Sequence, residues 1–186
     1  WHPWVAEGRP QVPIQEDETA LVLWALWEHY ARYRDVEFVR GLWIRLIQPA
    51  ADFLDRFRDP GTNLPLPSYD LWEERWGVNA FTVATVYGGL MAAKNFAICF
   101  GDKARAKRYA RSAEQMREAF CRYMWSDEHD RFLRRIVPLD HERTSRLMEQ
   151  VLDGRDPSRS RIKCDPDYIE RDEGIDSSLY GIFRFG

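Results

Sequence analysis

The sequence predicts an all-α protein built from helical hairpins in series. Three observations carry this. Four long stretches repeat apolar side chains at steps of three and four, the period of a helix with one buried face. Breaker residues, Asp59-Pro60-Gly61 and Gly101-Asp102, stand between them. Strand-like texture is minor and falls near residues 130–170. Two antiparallel pairs of helices, each ~30 Å long, fit a bundle, a solenoid or part of an α/α toroid.

The elements follow in order. Residues 1–15 hold Pro3, Pro10 and Pro13 and read as an ordered or extended leading segment. A helix over 16–34 starts on Glu16, Asp17 and Glu18, where the helix dipole favours negative charge. Its run Ala20–Trp27 is apolar almost all round, which predicts burial on most sides. A second helix over 36–57 places Val36, Val39, Trp43, Ile47, Leu54 and Phe57 on one face, with Glu37, Arg40, Asp52 and Asp55 on a solvated stripe. Residues 58–78 read as a long loop, and long loops in compact domains are often functional. A third helix over 79–100 carries Gly88-Gly89 inside it, which predicts close packing against a neighbour. A fourth helix spans 103–125; its basic cluster from Lys103 to Arg111 is balanced by acidic residues and is not read as a phosphate patch. Then come a turn at 127–130, a strand-like run at 131–137, a weaker helix at 140–153, a polar and mobile stretch at 154–174, and a new apolar element from Ile175.

Composition bounds the function. A chain of 186 residues suits one domain and a sizeable core. The net charge of −3 argues against a dedicated nucleic-acid binder. No apolar run approaches the ~20 residues of a membrane span. Three cysteines without a CxxC pair point to reduced thiols, small hydrophobes in a cytoplasmic protein. His2, His29, His129 and His141 form no metal-binding pair, and His29 reads as a capping or core residue. No GxGxxG, GxxxxGK or GxSxG is present, so neither cofactor nor metal is expected. The 8 Trp, 8 Tyr and 10 Phe require a large aromatic core or a stacking surface.

The densest candidate for chemistry is Ser68-Tyr69-Asp70-Leu71-Trp72-Glu73-Glu74-Arg75-Trp76-Gly77. Two adjacent carboxylates and a third stand among three aromatics. Glycoside cleavage needs a carboxylic acid that stays protonated near neutral pH. Burial against an indole, and a second carboxylate next door, both raise a carboxyl pKa. Arg75 would oppose this on whichever Glu it pairs with. Aromatic faces suit the apolar side of a pyranose. The plainer alternative is a loop with its charges in water and its Trp side chains plugging the core.

The stretch Tyr69–Gly77, with Phe81-Thr82 beyond it, resembles the catalytic-acid segment of glycoside hydrolase family 15, which includes glucoamylases, glucodextranases and bacterial trehalases. Ile14–Ala20 and Asp176–Gly181 agree with it, in the right order. The resemblance implies a twelve-helix (α/α)6 toroid that hydrolyses terminal α-glucosyl residues with inversion, with an oligosaccharide or polysaccharide α-glucoside as substrate. It implies Glu73 as general acid, Glu74 binding substrate hydroxyls, Trp72 packing beside the acid, and Asp70 as a polar support. Trp76 and Trp4 are the further tryptophans expected around a sugar, whereas Trp24, Trp27 and Trp43 are expected in helix packing. Gln11-Val12-Pro13 departs from the family, many of whose members carry a stacking aromatic there; Trp4 or Trp1 would have to replace it.

An inverting hydrolase needs a second carboxylate ~6.5–9.5 Å from the acid. Glu170, Asp172, Glu173 and Asp176 are the nearest candidates, and none matches the family's base segment, which lies further downstream. The expectation is one partial catalytic domain over 1–186: the acid half of an α-glucoside hydrolase, inactive alone, and self-associating through an exposed half-barrel face. Trehalose or an α-1,6-glucan as substrate is an alternative. So is a helical scaffold that binds without turnover.

Overall fold

A computed structural model describes residues 4–6, 9–11, 14–157, 168–172, 174–175 and 177–185, with the backbone alone at 4–6, 9–11 and 168–170. The chain is mostly helical, as its periodicity predicts. A β-hairpin, β1 (Trp4–Ala6) and β2 (Arg9–Gln11), leads into α1 (Glu16–Tyr33). Arg34 closes α1 in the left-handed region, its N–H bonded to the Tyr30 carbonyl.

The predicted second helix is one rod with a flaw. It comprises α2 (Val36–Leu42), a π-turn (Trp43–Ile47) and α3 (Gln48–Arg56). Pro49 explains the wide turn. Its nitrogen donates nothing and its ring crowds the carbonyl four residues back. The Gln48 N–H reaches the Trp43 carbonyl instead, five residues away. Then follow α4 (Ala80–Cys99), α5 (Lys103–Met124), α6 (His141–Leu152) and α7 (Gly181–Phe185). Asp35, Asp102 and Asp140 cap α2, α5 and α6 by accepting the N–H of Phe38, Arg105 and Arg143.

The buried rod is α4, not α1. From Thr82 to Leu90 only Tyr87 is not fully buried, and α1, α3 and α5 pack around it. On α1, by contrast, Val22 and Ala25 face solvent, so its apolar run overstated its burial. The Gly88-Gly89 pair does what its cost implied. A Cβ on Gly89 would sit 2.9 Å from the Ala20 Cα, and one on Gly88 would sit 3.2 Å from the Phe185 Cβ. Helix packing takes three tryptophans, as expected: Trp24 against Phe185, Trp27 against Phe96, and Trp43 against Phe100, all at 5.1 Å.

Three sequence expectations need correction. His29 is neither cap nor core; it is exposed, its ring against Tyr33 and Phe38. Cys99 and Cys121 are exposed and so do not fill the core, while Cys164 lies outside the described residues. The strand content also reaches beyond 130–170, because the supposed loop at 58–78 contributes β3 (Ser68–Tyr69) and β4 (Trp76–Asn79). These join β7 (Arg135–Pro138) and β8 (Tyr168–Asp172) in an antiparallel sheet of order β3-β4-β7-β8. Part of the polar stretch at 154–174 is therefore ordered as β8. A small hairpin, β5 (Trp125–Ser126) and β6 (Arg131–Phe132), encloses the predicted turn.

The sheet is pinned to the helical core from β4 and β7, and α6 is tied separately to the segment after α3. Val78 and Ile136 enter the main core. Arg143 on α6 holds Asp59 in a buried fork, with one arm at 2.7 Å. Among the described residues no helix is long and apolar enough to cross a membrane.

Candidate active site

The segment Asp70–Arg75 is the tip of the β3–β4 hairpin, and Asp70 organises it. Its backbone N–H donates to the Arg75 carbonyl at 2.9 Å. Its carbonyl accepts the Glu73 N–H at 2.9 Å. Its Oδ1 accepts the N–H of Glu74 at 2.9 Å and of Arg75 at 3.2 Å. One buried aspartate thus satisfies four backbone groups of a six-residue turn, as Asp side chains do in Asx-type turns. The turn forces Glu73 to φ +58°, a conformation unfavourable for a residue with a Cβ. Strain of this kind persists only where surrounding structure over-determines it, and it is often found at functional sites.

The tip is open. Leu71, Trp72, Glu73, Glu74 and Arg75 are all exposed, with the Trp72 indole 53% accessible. Glu73 is therefore not buried against an indole as the sequence predicts. Trp76 is half-buried on β4 and stacks on His141, ring centroids 5.7 Å apart, so part of its face is already taken. Arg75 pairs with neither glutamate; its Nη1 lies 2.8 Å from Asp172 Oδ2. Trp4 is placed on β1 by its backbone, while Trp1, Glu173 and Asp176 lie outside the described residues.

Burial falls one layer below. Glu16 and Asp17, at the start of α1, are each 1% exposed. Desolvation lifts Glu16 to about 8, against partial relief from its own backbone N–H and the Ser68 hydroxyl. The same cause lifts Asp17 to about 6, although the Glu18 N–H bonds its Oδ1 at 3.0 Å; Asp70 adds a smaller upward push. Neither forms an ion pair among the described residues. In sequence both read as first-turn acids favoured by the helix dipole, and that reading leaves their burial out. The signal missed was local: a three-acid run directly before an apolar helix, preceded by Gln15, whose Nε2 reaches the Asp70 carbonyl at 3.5 Å.

Opposite the turn, Arg134 Nη2 lies 3.6 Å from Asp70 Oδ2, and Arg134 Nε lies 3.5 Å from Asp172 Oδ2. Arg135 Nε is 3.7 Å from the same oxygen, and the Gly174 N–H bonds Oδ1 at 2.9 Å. Burial would raise the Asp172 carboxyl, but the Gly174 bond and the three guanidiniums hold it below the usual carboxylate range. A group so committed is a poor proton acceptor, which argues against Asp172 as the water-activating base. Gly77 makes room for this arrangement: a Cβ there would meet Arg135 Cγ and the Ile136 carbonyl at 2.9 Å.

What the geometry offers is an acid pair on an ordered, projecting turn, with an accessible indole beside it. Among the described residues no group of three or more His, Cys, Asp or Glu is placed to hold a metal. Comparison with known proteins points to glycosyl hydrolases. An uncharacterized glycosyl hydrolase of Methanocaldococcus jannaschii is 32% identical over 134 residues, 72% of this chain. The chain spans 21% of that relative's length. The family of glycosyl hydrolases numbered 15 matches residues 8–154, and over that span lie both the α1 acids and the Glu73 turn. On that match, the chain belongs to glycosyl hydrolases family 15.

Proposed function

We propose that this chain is the acid-bearing part of an inverting, exo-acting α-glucoside hydrolase that releases glucose from the non-reducing ends of α-glucans. Glu73 is the general acid that protonates the leaving oxygen. Glu74 accepts hydrogen bonds from substrate hydroxyls, Trp72 supplies the stacking face, and Trp76 and Trp4 border the sugar. Asp70 supports the turn from below. The base is supplied from outside residues 1–186, which form one partial catalytic domain in a cytoplasmic enzyme. Alone, the chain is inactive and associates with itself through bare apolar side chains such as Ile44, Ile98 and Phe183.

One observation supports this most: the Glu73-Glu74 pair projects from a turn whose backbone is fixed by Asp70, in a family of glycosyl hydrolases. A bound sugar and the remaining barrel wall would exclude water from this tip. The test uses the full-length enzyme. Glu73→Gln should lower kcat by about 10²–10⁴, the usual range for loss of a general acid. Full retention of activity would overturn the assignment. Glucose release from maltose, isomaltose, trehalose and starch separates an α-1,4 preference from trehalose or α-1,6 activity. A monodisperse 186-residue monomer would count against self-association.

A further inference from the structure

We infer that Asp172 is a positioning residue for the acid turn, acting through Arg75 and Arg134 as an ionic clamp. This rests on the reading of Glu73 as the acid. Asp172 lies beyond residues 8–154, so the family match says nothing of it.

The clamp has two arms on one carboxylate. The outer arm is Arg75, the last residue of the turn, whose Nη1 lies 2.8 Å from Asp172 Oδ2. The inner arm is Arg134, which bridges the same oxygen at 3.5 Å to Asp70 Oδ2 at 3.6 Å. Asp172 is thereby tied to both ends of the six-residue turn, Asp70 and Arg75. Its own position is firm. Arg135 is its register partner across β7 and β8, the Arg134 N–H bonds the Asp172 carbonyl at 3.3 Å, and Gly174 holds Oδ1.

The need for a clamp follows from the turn itself. The exposed tip, Leu71–Arg75, has little packing of its own. Glu73 sits at φ +58°, so relaxation of the turn would carry its carboxyl away. Asp70 fixes the turn's backbone from inside, the Arg75 N–H included, while the Arg75 side chain is held by Asp172. The side chains of Asp172 and Arg134 are 10% and 14% exposed, which shields their pairing from salt more than a surface bridge would be. A misplacement of about 1 Å at a reacting group costs on the order of 10²-fold in rate. Loss of the clamp should therefore appear in kcat and leave substrate binding largely alone.

The experiment uses the full-length enzyme with the variants Arg75→Gln, Arg75→Lys, Asp172→Asn and Arg75→Gln/Asp172→Asn. Arg75 is 46% exposed, so its replacement leaves the core intact. Arg75→Gln should lower kcat at least tenfold with KM within twofold, and shift the basic limb of the pH–rate profile. Arg75→Lys should recover part of the loss. The double variant should be no worse in kcat than the Asp172→Asn single variant, because both changes break one link. Wild-type kcat and pH profile in Arg75→Gln would overturn the clamp, as would additive losses in the double variant. A fall in Tm for Asp172→Asn with unchanged kcat per folded molecule would also overturn it. Glu73→Gln is measured alongside. If it is inactive while Arg75→Gln is normal, the clamp alone fails; if it is fully active, the acid assignment and the clamp fail together.

Discussion

Two regions of this molecule bury carboxylates in opposite ways. On the α3–α5 face every one is answered by cations. Asp52 meets Arg108, Arg105 at 3.6 Å and the Tyr109 hydroxyl at 2.6 Å. Asp55 meets Arg108 at 3.3 Å and Arg58 at 3.4 Å, and accepts from Ser112. At the start of α1, beneath the acid turn, Glu16 and Asp17 are buried with no cation paired to them among the described residues. The first arrangement offsets desolvation with charge pairing. The second leaves the penalty in place, and it shifts both carboxyls toward their protonated forms, Glu16 further than Asp17. The first holds helices together; the second stores a cost directly under the candidate active site.

Breaking a paired site should produce the largest effect. Arg143→Ala leaves Asp59 buried and uncompensated, and should cost about 3–5 kcal/mol. Thermal unfolding should show a loss of roughly 10 °C. A change within 2 °C would mean that the fork contributes little.

The unpaired site should respond with the opposite sign. The Glu16 carboxyl titrates near 4.5 in the unfolded chain and about 8 in the folded one. Between those values the unfolded chain has released a proton that the folded chain keeps, so stability falls as pH rises. Glu16→Gln removes that dependence. Relative to wild type it should gain about 3 kcal/mol between pH 5 and pH 8. An equal difference in unfolding free energy at both pH values would show that Glu16 is not protonated in the fold.

Smaller effects sharpen the contrast. Tyr109→Phe removes two hydrogen bonds, one donated to Asp52 and a longer one accepted from Arg108, from a network in which Asp52 keeps its arginines, and should cost about 1–2 kcal/mol in urea unfolding. Burial, and after it the Asp52 carboxylate, push the Tyr109 hydroxyl pKa upward against a smaller pull from Arg108, so tyrosinate absorbance at pH 11 should omit this residue. At the exposed Arg40–Glu37 pair, Arg40→Ala should leave Tm unchanged within error.

Much of the helical frame was legible. The 3.6-residue period placed α1, α4 and α5 within about a residue or two of their ends, and the cost of Gly88-Gly89 pointed to the close approach of α1. The Glu73 segment was legible as a candidate for chemistry too, though as a loop and not a hairpin turn, because its acids and aromatics are adjacent in sequence. Other features were hidden for a physical reason. Strands of two to four residues are too short to show a period, so β3 and β4 read as loop. The π-turn at Trp43–Ile47 keeps the apolar stripe going while the hydrogen bonding changes beneath it. Which apolar helix lies at the centre depends on its neighbours, and α1 and α4 look alike in that respect.

The sequence by itself determined the helical period, the cap at Asp102, and the acid pair in one loop segment, because each depends on residues a few positions apart. Tertiary structure decided the rest. It buried Glu16 and Asp17, which look like ordinary first-turn acids. It turned Arg75 away from the glutamates beside it and toward Asp172, 97 residues along the chain. Burial and ion pairing depend on what the fold brings near, and a carboxyl's chemistry is set by those distant neighbours more than by the residues flanking it in sequence.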